Sequence, residues 1–395
     1  MKIRKLKDLS LKGKRVLVRL DLNVPLKGGV IQDDTRIRSA IPTLRAILEQ
    51  TSKVVVMSHL GRPKGDKNSK YSLEPVGVRL AELLGLEVLF VEEYLEESVI
   101  NVVDQASARQ IILLENLRFH PGETANDVEF SRSLATGFDC YVNDAFGTLH
   151  RSHASVVGVT EQMAPNQCAA GLLVEKEMAE SGELMSAPKA PFTVIMGGSK
   201  VSDKIGVTLN LLNRCNNLII GGAMAYTFLK YHGVEVGSSR VEEDKLDLVD
   251  KIYRNAESRR VNVYIPVDHI CAASFSEDSL PVSVDGAAIS EGLMGLDIGP
   301  KTLQKYSEVI GGSQTVLWNG PMGVFEWKEF SSGSLGIAAA MKACQGRTVI
   351  GGGDSVSVAN MAGVVSDIDH VSTGGGASLE FLEGKLLPGV KVLNY

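Results

Sequence analysis

The sequence predicts an α/β protein of two doubly wound parallel-sheet domains, and three observations carry that reading. The chain has 395 residues, more than the roughly 250–300 at which one hydrophobic core stops growing, so two cores are expected. Short apolar, β-branched runs recur, each ending in Gly, Asp, Asn or Ser and followed by residues at helical spacing. That alternation is the pattern of a parallel sheet covered by helices on both faces. The composition, 44% hydrophobic and 22% charged, excludes a disordered, collagen-like or coiled-coil chain.

In order, the first set of strands is expected at 15–18, 54–57, 87–91, 111–114 and 140–143, and the second at 193–196, 217–220, 262–265, 315–318 and 348–350. Between the first two runs, Ile41, Leu44, Ile47 and Leu48 share one face of a helix. Pro42 fits the first turn of that helix, which leaves Arg36 and Arg38 just ahead of it. Residues 171–185 read as a helix and SAPKAP at 186–191 as a Pro-broken linker. The expected domains are therefore 1–170 and 191–381, joined by 171–190.

The net charge is 41 − 47 = −6, of the wrong sign for a nucleic-acid-coating protein. Residues 1–70 nevertheless carry 17 Lys or Arg against 6 Asp or Glu. Such an excess is either a solvated face or a funnel for a small anion. The five cysteines are scattered, without a CxxC pair, so neither a disulfide framework nor a zinc site is indicated. No apolar run reaches the roughly 18 residues of a membrane span, and the start MKIRKLKDL lacks an h-region. A cytoplasmic protein with no membrane partner is expected.

Ligands of open α/β sheets bind beyond the carboxyl ends of the strands, so the strand ends are where chemistry is sought. After the first strand, RLDLNVP presents Asp21 and Asn23, which turn chemistry alone would also explain. The second ends in SHLGRP with His59 and Arg62, the fourth in ENLRF with Arg118, and the fifth in NDAFGTLHRSH with His150 and Arg151. Guanidinium forks bind phosphate and carboxylate oxygens in pairs, so Arg36, Arg62, Arg118 and Arg151 could surround one small dianion. Arg36 and Arg38 beside the positive end of a helix dipole also suggest an anion.

The second half contains neither GxxxxGK[ST] nor GxGxxG, which disfavours a P-loop enzyme and an ordinary dinucleotide dehydrogenase. It has TVIMGGSKVSDK, whose Lys200 and Lys204 are expected on the same side of a starting helix, suited to a polyphosphate. It also has GGGDS, where Gly352, Gly353 and a helix N-terminus approach an anion. Asp354 is placed there to hold a Mg²⁺ that bridges phosphates.

Together RLDLNVP, SHLGRP, LENLRF, DAFGTLHR, GGSKVSDK, LDIGP, WNGPMGVFE, GGGDS and STGGGASLEF make the chain resemble the phosphoglycerate kinase family over its whole length. The resemblance implies two Rossmann-like domains separated by a cleft. The first would bind 3-phosphoglycerate or 1,3-bisphosphoglycerate and the second MgADP or MgATP. It assigns Asp21, Asn23, Arg36, His59, Arg62, Arg118 and Arg151 to phosphoglycerate. Lys204, Gly295, Glu326, Gly352, Gly353, Asp354 and Ser355 go to the nucleotide, with Glu326 near the ribose and Asp354 on the metal. Arg36 and Lys200 are the catalytic pair expected to stabilise the transferring phosphoryl group. A tail, 382–395, is expected to return to the first domain, and the enzyme to be a monomer that closes on its substrates. Ser355, Leu149 and Ser199 stand where the family commonly has threonine, alanine and alanine. A dehydrogenase, or a non-catalytic anion- or nucleotide-binding module, is the rival reading, the latter disfavoured by the presence of Arg36, Lys200 and Asp354.

Overall fold

The computed structural model describes residues 3–95 and 98–394. They separate into two compact units, Met1–Ala179 with Leu386–Tyr395 and Glu180–Lys385. The division falls inside the helix Leu172–Ser186.

The strands of the first unit are β1 (Val16–Leu20), a hairpin of β2 (Leu26–Lys27) and β3 (Val30–Ile31), β4 (Val54–Met57), β5 (Glu87–Val91), β6 (Gln110–Leu114), β7 (Cys140–Asp144) and β8 (Cys168–Ala170). Six of them form a parallel sheet in the order β5-β6-β4-β1-β7-β8. The central strands β1, β4 and β7 are buried along their whole length, which explains why they read as continuous apolar runs. Val16, Val18, Leu20, Val54 and Val56 pack with Ile37, Leu44 and Ile47 of the covering helix. The chain departs in both directions from β1, so the ends of β1, β4 and β7 flank the switch point of the sheet.

The helix after the hairpin runs from Thr35 to Leu48, nearly two turns earlier than the sequence pattern indicates. Pro42 lies inside it, and Arg36 and Arg38 occupy its first turn instead of preceding it. Carboxylates make this tolerable. Asp34 accepts from Arg38 at 2.8 Å and from Arg79 at 2.7 Å, and its own carboxyl is held below the usual range by those guanidiniums, Arg38 first.

The tail contacts the first unit. Gly389 N–H donates to the Leu149 carbonyl at 2.9 Å, and Arg4 N–H to the Leu393 carbonyl at 3.0 Å. A Cβ on Gly389 would lie 2.6 Å from Leu149 Cδ2 and 2.8 Å from Val156 Cγ1. The bulk of Leu149, fully buried, thus fills the space that the glycine leaves.

The second unit has β9 (Phe192–Met196), β10 (Asn217–Ile220), β11 (Asn262–Tyr264), β12 (His269–Ala272), β13 (Val282–Val284), β14 (Met294–Ile298), β15 (Thr315–Asn319), β16 (Arg347–Ile350) and β17 (His370–Val371). The main parallel sheet runs β11-β10-β9-β15-β16-β17, the order of two mononucleotide-binding halves meeting between β9 and β15. A three-stranded antiparallel sheet, β13-β12-β14, is an addition that the sequence pattern does not announce. Lys200 and Lys204 both precede the helix Ile205–Leu211. They are therefore not an i,i+4 pair on a helix face: Lys200 is exposed in an irregular turn while Lys204 is partly withdrawn.

Candidate functional site

In the first unit, arginines and histidines converge beyond the ends of β1, β4 and β7. Arg19 lies within β1 itself, with no exposed surface. A buried guanidinium must be satisfied by the protein. Its Nε donates to Ser155 Oγ at 2.7 Å, and its terminal nitrogens reach the Leu20 carbonyl, Ser58 Oγ at 3.5 Å and His59 Nδ1 at 3.1 Å. Arg36 Nη1 donates to Asp21 Oδ2 at 2.6 Å. Asn23 Oδ1 accepts the Gly61 N–H at 2.8 Å, and Arg118 Nη1 donates to the Gly61 carbonyl at 2.7 Å. Asn116 accepts from the Leu60 and Arg118 N–H groups and donates to the Leu60 and Tyr71 carbonyls. The loop of His59 and Arg62 is thereby fastened to the turn bearing Arg118.

The cations act on one another. Burial, then the guanidiniums of Arg19 and Arg151, pushes Arg118 down to about 10. Burial, then Arg19, Arg118 and Arg36, holds His59 well below the usual imidazole range. His153 is pushed down to about 4 by burial and then by Arg118, Arg19 and Arg151. Both histidines are neutral at pH 7, and Arg118 remains charged. Arg118 Nε is buried without a hydrogen-bond partner. A small anion would relieve the repulsion and supply the missing acceptor. Asp21, Asn23, Arg36, His59, Arg118 and Arg151 thus share one basin. Arg62 belongs to the same loop, with its side chain exposed.

In the second unit, glycine turns cross at the switch point. A Cβ on Gly197 would stand 2.1 Å from the Pro321 carbonyl oxygen, and one on Gly320 would stand 2.3 Å from the Gly197 carbonyl oxygen. No side chain fits where these two turns pass. Beside them opens a cavity of about 460 Å³ lined by Gly198, Ser199, Gly222, Tyr226, Gly295, Leu296, Phe325, Glu326 and Asp354, with Phe275 at 65% exposure on its wall. It is apolar along Leu296 and Phe325 and carries two carboxylates, the profile of a small-molecule site. Gly295 leaves room for Tyr226, whose hydroxyl oxygen would lie 2.0 Å from an added Cβ.

Asp354 lies in the first turn of the helix Gly353–Met361, after Gly352 at φ 90°. Ser355 is fully buried, and its Oγ accepts the Gly320 N–H at 2.6 Å, so the hydroxyl shared by serine and threonine is what this position uses. Lys204 Nζ donates to Asn319 Oδ1, and Asn319 Nδ2 donates to the Gly351 carbonyl at 2.9 Å. Burial pushes Lys204 down to about 8, partly offset by Asp354 and Asp203. Lys200 does not line the cavity. It acts electrostatically on Glu242, which accepts from Ser202 Oγ at 2.6 Å.

Among the described residues no three carboxylates, histidines or cysteines cluster as an all-protein metal cage. The donor set nevertheless suits Mg²⁺, which keeps waters and commonly takes one carboxylate plus substrate phosphates. Asp354, near an ammonium and at a cavity wall, offers that carboxylate.

Several contributors escape sequence reasoning. Arg19 stands inside RLDLNVP, where the sequence singles out only Asp21 and Asn23, and Asn319 stands in WNGP without an evident partner. Asp297, at the end of β14, is 1% exposed. Its Oδ2 accepts the Gly333 N–H at 2.6 Å and its Oδ1 the Ile298 N–H at 2.9 Å. Burial pushes its carboxyl up to about 7. A raised native value means that its stabilising effect is complete below the unfolded value and is lost as pH rises through about 7. Asp297→Asn, which sacrifices one acceptor, is therefore expected to be less stable than wild type at pH 5, with the gap narrowing by roughly 2 kcal/mol at pH 8. Urea unfolding of both proteins at the two pH values checks this. A constant gap would contradict it.

Two doubly wound units, one bearing a guanidinium basin and the other a glycine-lined cavity with a metal-competent carboxylate, define a nucleotide-dependent phosphotransferase. A model of the phosphoglycerate kinase family matches residues 6–385. The chain is 51% identical to the phosphoglycerate kinase of Anaeromyxobacter dehalogenans (strain 2CP-C) over 394 residues, 99% of each chain. It is 48% identical to that of Borrelia hermsii (strain HS1 / DAH) over 393 residues, 100% of each. The solved phosphoglycerate kinase of Coxiella burnetii superposes with a TM-score of 0.88 at 37% identity, covering 99% of both chains. That of Pyrococcus horikoshii OT3 gives 0.85 at 31%, covering 99% of this chain and 98% of that one. The chain belongs to the phosphoglycerate kinase family. Among the described residues, no helix is long and apolar enough to cross a membrane.

Proposed function

We propose that the protein transfers a phosphoryl group reversibly from 1,3-bisphosphoglycerate to MgADP, giving 3-phosphoglycerate and MgATP. The observation that carries this reading is the basin in which Arg118 Nε is buried without a partner and Arg19, Arg36 and Arg151 crowd two neutral histidines. Such a basin suits a phosphorylated carboxylate far better than a nicotinamide or a peptide.

In this mechanism Asn23, His59, Arg62, Arg118 and Arg151 bind the phosphoglycerate, and Asp21 holds Arg36 in place. Arg36 and Lys200 stabilise charge on the equatorial oxygens of the transferring group. Gly295 and Glu326 receive the nucleoside, while Lys204 and the turn of Gly352, Gly353 and Ser355 receive its phosphates. Asp354 would hold Mg²⁺, which when bound neutralises phosphate charge. No general base is required, because the acceptor is already a carboxylate or diphosphate oxygen; catalysis is in-line positioning and charge stabilisation. Basin and cavity belong to different units, and in-line transfer needs the reacting atoms at about 3–3.5 Å. We further propose a cytoplasmic monomer, since each pocket draws on one unit alone; the expected domains 1–170 with 382–395 and 191–381, joined by 171–190, shift to the boundaries at 179/180 and 385/386, with Leu382 packed in the core of the second unit.

A coupled assay for ATP formation from 1,3-bisphosphoglycerate and MgADP tests the reading. Robust turnover is expected. Binding of both ligands without turnover would leave a non-catalytic module, and reduction of a nicotinamide would make it a dehydrogenase.

A further inference from the structure

We propose that Glu123, Ser155 and Arg19 form a buried positioning chain that fixes the proton of His59 on Nε2, making that edge of the ring a neutral donor toward an anionic substrate. The last clause rests on the reading of His59 as a phosphoglycerate ligand; the chain itself does not.

The direction of every bond follows from what each group can do. Glu123, fully buried, is a carboxylate that accepts two hydrogen bonds from one residue, from Ser155 N–H at 2.9 Å and from Ser155 O–H at 2.6 Å. The hydroxyl has one proton, and it is committed to Glu123, so the oxygen faces Arg19 with its lone pairs and accepts Nε–H at 2.7 Å. A guanidinium has no acceptor. Its contact with His59 Nδ1 at 3.1 Å is therefore a donation to the ring, and Nδ1 carries no proton. A neutral imidazole with Nδ1 as acceptor holds its proton on Nε2.

The surroundings make the choice consequential. His59 is 4% exposed, and among the described residues Nε2 has no hydrogen-bond partner, the bonds of His59 being that of Arg19 to Nδ1 and that of the Ser58 hydroxyl to its carbonyl. Burial, and after it Arg19, Arg118 and Arg36, disfavour an imidazolium there, so the ring cannot contribute a full charge. It can still offer a directed N–H, but only in one tautomer. The opposite tautomer would turn a lone pair toward phosphate or carboxylate oxygens. The chain draws its members from four separate segments: the helix Pro121–Ala125, the turn Ala154–Gly158, β1 and the loop after β4. Glu123 reaches no substrate through this route; it acts on His59 through two intermediaries. His153 Nδ1, at 3.8 Å from Glu123 Oε1, is too far to compete for it as a hydrogen-bond donor.

The test is a long-range proton–nitrogen correlation spectrum of the full chain labelled with ¹⁵N-histidine. The chain has 7 histidines, and His59→Gln assigns the signal. At neutral pH, without ligand, His59 is expected as the pure Nε2–H tautomer. In Ser155→Ala and in Glu123→Gln, tautomer exchange is expected to appear. KM for 3-phosphoglycerate should rise about tenfold while kcat changes little and MgADP affinity is unchanged. An Nδ1–H or protonated ring in wild type overturns the proposal, even if both variants fail to fold. An unaltered Nε2–H signal in both folded variants overturns it as well. If wild type and variants behave as expected in the free state but 3-phosphoglycerate leaves the His59 signals unmoved, the chain stands and the ligand reading of His59 falls.

Discussion

Arg36→Ala is expected to lower kcat about 10²- to 10³-fold while leaving the fold intact, the loss of roughly 2.7–4 kcal/mol of transition-state stabilisation. Arg36 stands in the first turn of the helix Thr35–Leu48, where the dipole opposes a cation. One ion pair, to Asp21 at 2.6 Å, holds it there. A charge kept against local preference and one-third exposed is available to a ligand and costs little to remove from the fold, at most about 1 kcal/mol for such a pair. Steady-state kinetics with circular dichroism and thermal melting check the separation of the two effects. Turnover within about threefold of wild type would remove Arg36 from the reaction.

The second large effect concerns the nucleotide. Asp354→Ala is expected to weaken MgADP binding by at least one to two orders of magnitude, because on the proposed reading the metal would lose its protein carboxylate, and Lys204 loses an anion that offsets its burial. Lys200→Met should behave differently. Lys200 is exposed and outside the cavity lining, so MgADP affinity should persist while turnover falls. Calorimetric titration of wild type and both variants with MgADP distinguishes them. Equal affinity in wild type and Asp354→Ala would take Asp354 off the metal.

The parallel sheets were legible because their strands are buried on both faces and therefore read as unbroken Val, Ile and Leu runs; β4, β5 and β10 coincide with the expected residues. The antiparallel sheet β13-β12-β14 was not, since Val282–Val284 is only three residues long and largely exposed. The start of the helix Thr35–Leu48 was misplaced because Pro42 imitates a first-turn proline, although here the interior position is held by the packing of Ile37, Leu44 and Ile47. At the site, spacing could name the loops but not the depth of each side chain. Nothing in GGSKVSDK distinguishes the partly withdrawn Lys204 from the exposed Lys200, and nothing in RLDLNVP marks Arg19 as buried. Only the fold supplies Ser155 and Glu123, which are more than a hundred residues away from Arg19 in the chain.

The contact of Gly389 with Leu149 has a bearing on biosynthesis. When residue 179 leaves the ribosome, every strand of the first sheet has been made, yet the segment that covers Leu149 lies two hundred residues behind, beyond the entire second unit. The second unit is contiguous and can close as soon as its own last helix emerges. The first must wait, with Leu149 in an open apolar notch, until the segment around Gly389 has been made. Premature termination before residue 386 would therefore yield a chain with a complete second unit and an uncovered Leu149 in the first, a product that should be conspicuous to proteases at the open notch.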